Sequence, residues 1–233
     1  MRYRRLGKTE FMVSEVSFGA HVDQVNVQDE KRRAEQIRAG IEAGINLFDI
    51  YDHSGYKQWE PMSRLLWPTR DRVIISLCTV WDAGKVMEEV DYALKVFRTD
   101  RIDLYRYLPG KDEQENEQRL STLLKAKEQG KVKAVGAVVH VPSETRALLN
   151  KHSDDIEFLM APIAFCFRKA LSERRPIARK IREHGIGLIA MKALCSHADD
   201  RGSGTHLLQL PPPSVEPSHI ASRSMNLGKL AIQ

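Results

Sequence analysis

The sequence predicts an α/β fold, a (β/α)8 barrel of the TIM type preceded by a β-hairpin. Short apolar runs typical of strands alternate with amphipathic helical runs at intervals of about 25–30 residues, the rhythm of a parallel sheet closed into a barrel. The seven apolar runs begin near Ser14, Leu47, Val73, Ile102, Val132, Glu157 and Gly187. Catalytic residues of such barrels follow the carboxyl ends of the strands, so candidates are sought just after each run.

The first half of the chain opens with a predicted hairpin at residues 2–13, where Gly7-Lys8-Thr9 supplies the turn. Such a hairpin is placed to plug the bottom of the barrel. Apolar residues at helical spacing, closed by Gly44, predict the first helix. The predicted elements are a strand at Val13–Phe18, a helix at Asp29–Ala43, a strand at Leu47–Asp49, a helix at Trp59–Leu66, a strand at Val73–Val80 and a helix at Val86–Phe97.

The second half continues the alternation. Ser143 is expected to cap its helix, with Glu144 in the first turn. The predicted elements are strands at Ile102–Leu108, Val132–Val139, Phe158–Ile163 and Leu188–Met191, and helices at Asn116–Gln129, Ser143–Leu149 and Arg174–His184.

The eighth strand, due at 212–222, falls in a proline-rich stretch. Prolines are excluded from central strands, because they cannot donate to the ladder. We therefore predict a barrel at 1–194, incomplete at its eighth βα unit, and an atypical loop and tail at 195–233. Imperfect closure would leave 195–217 mobile and the barrel marginally stable or self-associating.

Composition favours a cytoplasmic protein of one large domain. The 36 basic and 31 acidic residues give a net charge of +5 that is spread along the chain, so neither a nucleic-acid partner nor a membrane is expected. No run approaches the roughly 18 apolar residues of a membrane span, and the first residues lack a secretory signal. The three widely spaced cysteines favour neither a metal site nor a disulfide scaffold.

The strongest candidate for chemistry is the segment 48–56, directly after the second barrel strand. It brings together the carboxylate of Asp49, the imidazole of His53 and the phenols of Tyr51 and Tyr56. A phenol acts as a general acid when a nearby cation lowers its pKa, and a carboxylate can hold that cation. The competing interpretation is a polar loop with a helix-capping acid.

Five blocks in the correct order resemble the aldo-keto reductase family. They are Tyr-Arg-Arg-Leu-Gly-Lys-Thr with Val-Ser-Glu-Val-Ser-Phe-Gly-Ala at 3–20, Ala-Gly-Ile-Asn-Leu-Phe-Asp at 43–49, Arg-Ile-Asp-Leu-Tyr at 101–105, Gln-Gly-Lys-Val-Lys-Ala-Val-Gly at 129–136 and Gly-Ile-Gly-Leu-Ile-Ala-Met-Lys at 185–192. The resemblance implies a (β/α)8 barrel that binds NADP, or alternatively NAD, without a Rossmann domain. It also implies the reduction of a small carbonyl compound by hydride transfer.

The family's active site combines an aspartate, a tyrosine, a lysine and a histidine, and the resemblance carries these over unevenly. Asp49 matches the aspartate. The tyrosine position holds Ser54, which makes Tyr56 the expected substitute and Tyr51 the next candidate.

The lysine and histidine positions depart from the family. The resemblance places them at Cys78 and Leu108. Lys57, Lys192, His53 and His140 are candidate replacements for the missing cation, while Cys78 itself is interpreted as a plain buried cysteine.

The cofactor side also departs from the family. The resemblance assigns cofactor binding to Gly19, Ala20, His140, Lys192 and Arg223. His140 stands where the family often has a Ser-Asn pair, so it either faces the nicotinamide or only ends a strand. We expect weak NADPH binding. The functions that remain open are an NAD(P)H-dependent reductase, a non-catalytic barrel with a binding or regulatory role, and a truncated product. The oligomeric state is left open.

Overall fold

The computed structural model describes residues 1–20, 30–51, 59–79, 82–163 and 171–191. The strands are β1 Tyr3–Arg5, β2 Met12–Ser14, β3 Phe18–Gly19, β4 Leu47–Ile50, β5 Ile74–Thr79, β6 Ile102–Tyr107, β7 Val132–Val138, β8 Phe158–Pro162 and β9 Gly187–Met191. The helices are α1 Glu30–Glu42, α2 Trp59–Leu66, α3 Val86–Phe97, α4 Glu113–Glu128, α5 Pro142–His152 and α6 Leu171–Glu183, with short 3-10 turns at Trp67–Arg72 and Ala83–Lys85.

The barrel sheet has seven parallel strands in the described residues, in the order β3-β4-β5-β6-β7-β8-β9. Each strand pairs with the next strand of the chain, as repeated βα units require. The predicted β/α barrel is therefore confirmed. The eighth strand expected at 212–222 and the tail at 195–233 lie outside the described residues, and so does the boundary between the two predicted regions.

Two apolar layers hold the sheet. The outer layer lies between the strands and the helices and contains fully buried side chains such as Phe48, Tyr105 and Leu123. The inner layer joins residues from β4 to β9, among them Leu47, Cys78, Leu104, Phe158 and Ile189, into one cluster. Because strands from opposite sides of the sheet share this inner cluster, one face of the sheet is wrapped around a common interior.

The N-terminal hairpin pairs β1 with β2 and lies against the amino end of the barrel, as predicted. Leu6 belongs to the inner cluster, and a Cβ added at Gly187 would lie only 2.7 Å from its side chain. Gly7 has φ of +54°, and a Cβ there would lie 2.0 Å from the backbone nitrogen of Gly187. The turn glycine is therefore required both for its backbone conformation and for close contact with the last described strand.

The predicted strand at Val13–Phe18 is wrong in one respect, because the structure divides it into β2 and β3. Between them the chain leaves the hairpin and enters the barrel. Ser14 accounts for the bend, since its backbone N–H donates to the Asn46 side chain at 2.7 Å and its hydroxyl accepts from the Asn46 N–H at 3.1 Å. These side-chain bonds replace the ladder that a continuous strand would need.

The predicted cap at Ser143 is also wrong. Helix α5 begins at Pro142, with Val141 as the capping position. The carboxylate of Glu144 accepts hydrogen bonds from the backbone N–H groups of His140, at 3.2 Å, and of Val141. Pro142 needs no acceptor in the first turn, so this helix starts two residues earlier than a cap at Ser143 predicts.

A buried carboxylate ties α3 to the sheet. Glu89 is 4% exposed and accepts hydrogen bonds from the Thr79 hydroxyl, at 2.6 Å, and from the Tyr105 hydroxyl, at 2.9 Å. Both hydroxyls are buried, so the three groups satisfy one another away from water.

None of the helices in the described ranges combines the length and the apolar character needed to cross a membrane.

Candidate active site

Asp49 is the described residue around which the candidate site is built. It lies one residue before the carboxyl end of β4, where parallel strands present side chains to the mouth of a barrel. Its backbone carbonyl accepts a hydrogen bond from the N–H of Ala20 at 2.7 Å, which ties the end of β4 to the end of β3. The carboxylate is only 15% exposed, so it needs a partner inside the barrel.

That partner is Arg106, one residue before the carboxyl end of β6. Its Nη1 lies 2.5 Å from Oδ1 of Asp49 and its Nη2 lies 3.1 Å from Oδ2. The same Nη1 also donates to the hydroxyl of Ser76 at 2.7 Å and to the carbonyl of Leu77 at 3.3 Å. The guanidinium thus crosses β5 and binds the carboxylate through two parallel hydrogen bonds, the strong geometry for this pair.

Arg106 is 2% exposed, so its charge is fully removed from water. Burial lowers the pKa of the guanidinium, but Asp49, together with Cys78 and Tyr51, outweighs burial, and the net effect is a raised pKa. Arg106 therefore keeps its charge in the interior. Removal of either partner would leave an uncompensated buried charge.

Cys78 lies level with Arg106 on the neighbouring strand β5. Its thiol is buried in the inner cluster and donates to the carbonyl of Thr79 at 3.6 Å. Burial raises the pKa of this thiol to about 12, with only partial opposition from Arg106. Cys78 is buried, as the interpretation of a plain buried cysteine predicts, and a thiol with a raised pKa is a poor nucleophile at neutral pH.

Tyr51 is the phenol that the described structure brings to this pair. It follows β4 and packs, partly buried, against the inner cluster. The pKa of its hydroxyl is raised to about 12, chiefly by burial and also by Cys78 and Asp49, whereas Arg106 opposes this rise. The second tyrosine considered from the sequence thus lies within electrostatic range of the ion pair.

Leu108 and His140 mark two more strand ends. Leu108 follows β6 and packs against the inner cluster, and its N–H donates to the carbonyl of Thr79 at 3.1 Å. His140 lies just beyond β7 and is exposed. Gly19 and Ala20 lie at the end of β3, and a Cβ added at Gly19 would meet no atom within 4 Å. The described part of the mouth is therefore open beside β3.

Several predicted site residues lie outside the described residues. Tyr56 falls in 52–58, and Lys192 and Arg223 fall in 192–233. The alternative cations His53 and Lys57 fall in 52–58 as well. Their predicted roles in proton donation and cofactor binding stay predictions.

Sequence reasoning missed Arg106. The signal was present in the alternation of β6, since Leu104, Arg106 and Leu108 share the face that points into the barrel. A charged residue on an interior face requires an opposite charge, and Asp49 was the available carboxylate at the end of β4.

A second charged cluster lies on α4 and α5. The ligand atoms of Glu113, Glu117 and His152 lie within 4.8 Å of one another. The Lys151 ammonium forms ion pairs with both glutamates, at 2.7 Å with Glu113, and lowers the pKa of each. Nε2 of His152 lies 3.1 Å from a carboxylate oxygen of Glu117, and its Nδ1 lies 3.0 Å from a carboxylate oxygen of Asp155. Side chains of the protein therefore account for the charges of this cluster.

Comparison with known proteins gives a consistent result. The sequence model of the Aldo/keto reductase family matches residues 16–198. Aldo-keto reductase YhdN of Bacillus subtilis is 34% identical over 92 residues, which cover 34% of this chain but only 28% of that protein.

The similar solved structures show the same fold. A putative aldo-keto reductase from Pseudomonas aeruginosa has a TM-score of 0.69 at 23% identity, over 81% of this chain and 76% of that one. The holo form of aldo-keto reductase AKR11C1 from Bacillus halodurans has a TM-score of 0.65 at 24% identity, over 82% of this chain and 64% of that one. The chain thus spans about two thirds of the length of AKR11C1.

Proposed function

The chain belongs to the aldo/keto reductase family, and on that premise we propose that it reduces a small aldehyde or ketone with NADPH or NADH. The observation that supports the proposal is the Asp49–Arg106 ion pair, held in the barrel interior at the carboxyl end of β4 beside the Tyr51 phenol. A fixed charge pair next to a phenol is the arrangement that general acid catalysis of carbonyl reduction needs.

The described strand ends fit a nicotinamide dinucleotide in two respects. Among the described residues, no atom lies within 4 Å of where a Cβ of Gly19 would be, so these residues leave space for a flat ring to approach the backbone there. The exposed His140 follows β7 at the same end of the sheet. Lys192 and Arg223 are the proposed partners of the phosphates, because their charge suits that group.

When bound, the reduced nicotinamide supplies the hydride that adds to the carbonyl carbon. A tyrosine donates its hydroxyl proton to the carbonyl oxygen, which completes the alcohol, and the proton is later replaced from solvent. Tyr56 is the proton donor expected from the sequence, and Tyr51 is the alternative. The pKa of Tyr51 is raised to about 12 by burial, so this phenol would be a weak acid at neutral pH. We therefore expect slow turnover.

The proposal is tested by following NADPH oxidation at 340 nm with a panel of small aldehydes and ketones, and by cofactor quenching of tryptophan fluorescence. Asp49→Asn is expected to reduce kcat by roughly 10²–10⁴, the usual contribution of acid–base groups, while cofactor affinity changes little. Tyr51→Phe and Tyr56→Phe identify the donor, since only one should reproduce that loss. Tyr92→Phe, an exposed tyrosine on α3, is the matched control.

A second candidate function is a barrel that binds the cofactor without turnover. It is favoured by the neutral side chains of Cys78 and Leu108, where the resemblance expects a lysine and a histidine. Saturable NADPH binding with no turnover of any substrate would assign this function. Absence of both binding and turnover would contradict both proposals.

A further inference from the structure

We propose that Arg106 is the positioning residue that supplies the positive charge of the active site, from β6, in place of the lysine that the resemblance puts at Cys78 on β5. The catalytic consequence of this exchange rests on the proposed function. The structural consequence is that a cation at either position 78 or position 106 can pair with Asp49. This consequence does not depend on the proposed function.

The first support is how Arg106 uses its donors. Both of its terminal nitrogens bind Asp49, and one also binds Ser76 and the carbonyl of Leu77. These contacts fix the guanidinium across β5 and fix the carboxylate against it. The described structure therefore already provides the cation that the Asp49 carboxylate needs.

The second support is the register of the strands. Asp49 on β4 pairs with Ser76 on β5, and Cys78, two residues further along β5, pairs with Arg106 on β6. Positions 76 and 78 share a face, so position 78 is the diagonal neighbour of Asp49, roughly 7–8 Å away between backbones. A lysine side chain could span that distance. The arginine reaches the same carboxylate from one strand further away.

The third support is the size of the side chains in between. Serine and cysteine at 76 and 78 leave room over β5 for the Arg106 side chain, which is 2% exposed. A lysine at 78 would enter the same buried space and place a second cation beside the guanidinium, with Asp49 already engaged by both arginine nitrogens. The buried space over β5 therefore accommodates one cation beside Asp49, because a second cation would have no opposite charge to compensate it.

The fourth support is the effect on the phenol. Burial, Cys78 and Asp49 all raise the pKa of Tyr51, and Arg106 is the group that opposes them. The guanidinium thus acts on the phenol in the direction that a catalytic cation would.

The test is a cycle of four proteins: the natural chain, Arg106→Met, Cys78→Lys and the double variant Cys78→Lys/Arg106→Met. Unfolding temperature and the absorbance titration of tyrosine at 295 nm, corrected with Tyr51→Phe, are measured for each. We expect both single variants to lose stability and the double variant to regain more than half of the loss from Arg106→Met. The midpoint of the Tyr51 titration should move to higher pH in Arg106→Met and should return toward its natural value in the double variant.

Two further variants keep the result interpretable. If Arg106→Met does not fold, the measurement becomes recovery of the folded state: Cys78→Lys/Arg106→Met should fold, and Cys78→Ala/Arg106→Met, which differs from it only in the lysine, should not. Arg70→Met breaks a separate ion pair, with Asp103 at 3.0 Å. It should lower stability without moving the Tyr51 titration, and Cys78→Lys should not rescue it. If the stability losses of the two single variants simply add in the double variant, the lysine rescues nothing. That result would contradict the proposal that a lysine at position 78 can take the place of Arg106.

Activity separates this inference from the proposed function. We expect Arg106→Met to lose kcat by roughly 10²–10⁴ and the double variant to recover at least tenfold of it. Rescue of stability and of the Tyr51 titration without turnover in any of the proteins would leave the exchange standing and contradict the reductase. Turnover that is indifferent to Arg106 would contradict the positioning role alone.

Discussion

Cys78 should make the stability of this protein fall at alkaline pH. Burial raises the pKa of its thiol from the ordinary value of 9.0 to about 12. Above pH 9 the unfolded chain releases the thiol proton while the folded chain keeps it, so rising pH favours unfolding. The stabilising contribution is complete below pH 9 and is lost between pH 9 and about 12. At about 1.4 kcal/mol per unit, the loss reaches about 2 kcal/mol at pH 10.5.

The assay is urea unfolding of the natural chain and of Cys78→Ala from pH 7.5 to 10.5. Cys166 and Cys195 are present in both proteins, so the difference between the two curves isolates Cys78. The natural chain should lose about 2 kcal/mol relative to the variant between pH 8.5 and 10.5. Parallel curves over this range would show that the thiol is not shielded from water, and the account of the inner cluster would then be wrong.

Three further outcomes are expected from the packing and the hydrogen bonds. Gly136→Ala should cost about 1–3 kcal/mol in urea unfolding, because its Cβ would lie 2.5 Å from the carbonyl oxygen of Phe158; Gly19→Ala, with open space around it, should change stability far less. Glu89→Leu should lower stability by about 2–5 kcal/mol in thermal unfolding, since it removes the carboxylate that accepts from two buried hydroxyls, and an unchanged melting temperature would contradict this. Glu144→Ala should cost about 1 kcal/mol through loss of the helix cap, and hydrogen exchange at the start of α5 should rise in step.

The helices and strands of this chain are largely predictable because periodicity and burial agree. Helix α3 was expected at Val86–Phe97 and occupies those residues, with apolar side chains on the face toward the sheet. The deviations come from side chains that replace backbone contacts. Ser14 and Asn46 divide a predicted strand, and Glu144 caps a helix that a serine was expected to start. Such hydrogen bonds depend on which side chains the folded structure brings together, and a local sequence pattern does not show this.

The candidate site was only half predictable. Asp49 follows directly from its place at the end of a buried strand. Arg106 did not, because a charged residue within Ile102–Tyr107 looks like the exposed face of an alternating strand until the curvature of the sheet is known. In a barrel that face points inward, and the partner of the charge lies two strands away. The pairing depends on the register and the curvature of three neighbouring strands, β4, β5 and β6, which the sequence of one strand does not show.

The contact between Gly7 and Gly187 joins residues about 180 positions apart, and this separation governs when the hairpin can take its place. During synthesis at roughly 5–20 residues per second, the hairpin emerges about ten to forty seconds before the strand it packs against. Until then Leu6 has no complete surface to cover, and the lower end of the growing sheet stays accessible to water. Docking of the first residues is thus a late step of folding, because it waits until β9 has been synthesised.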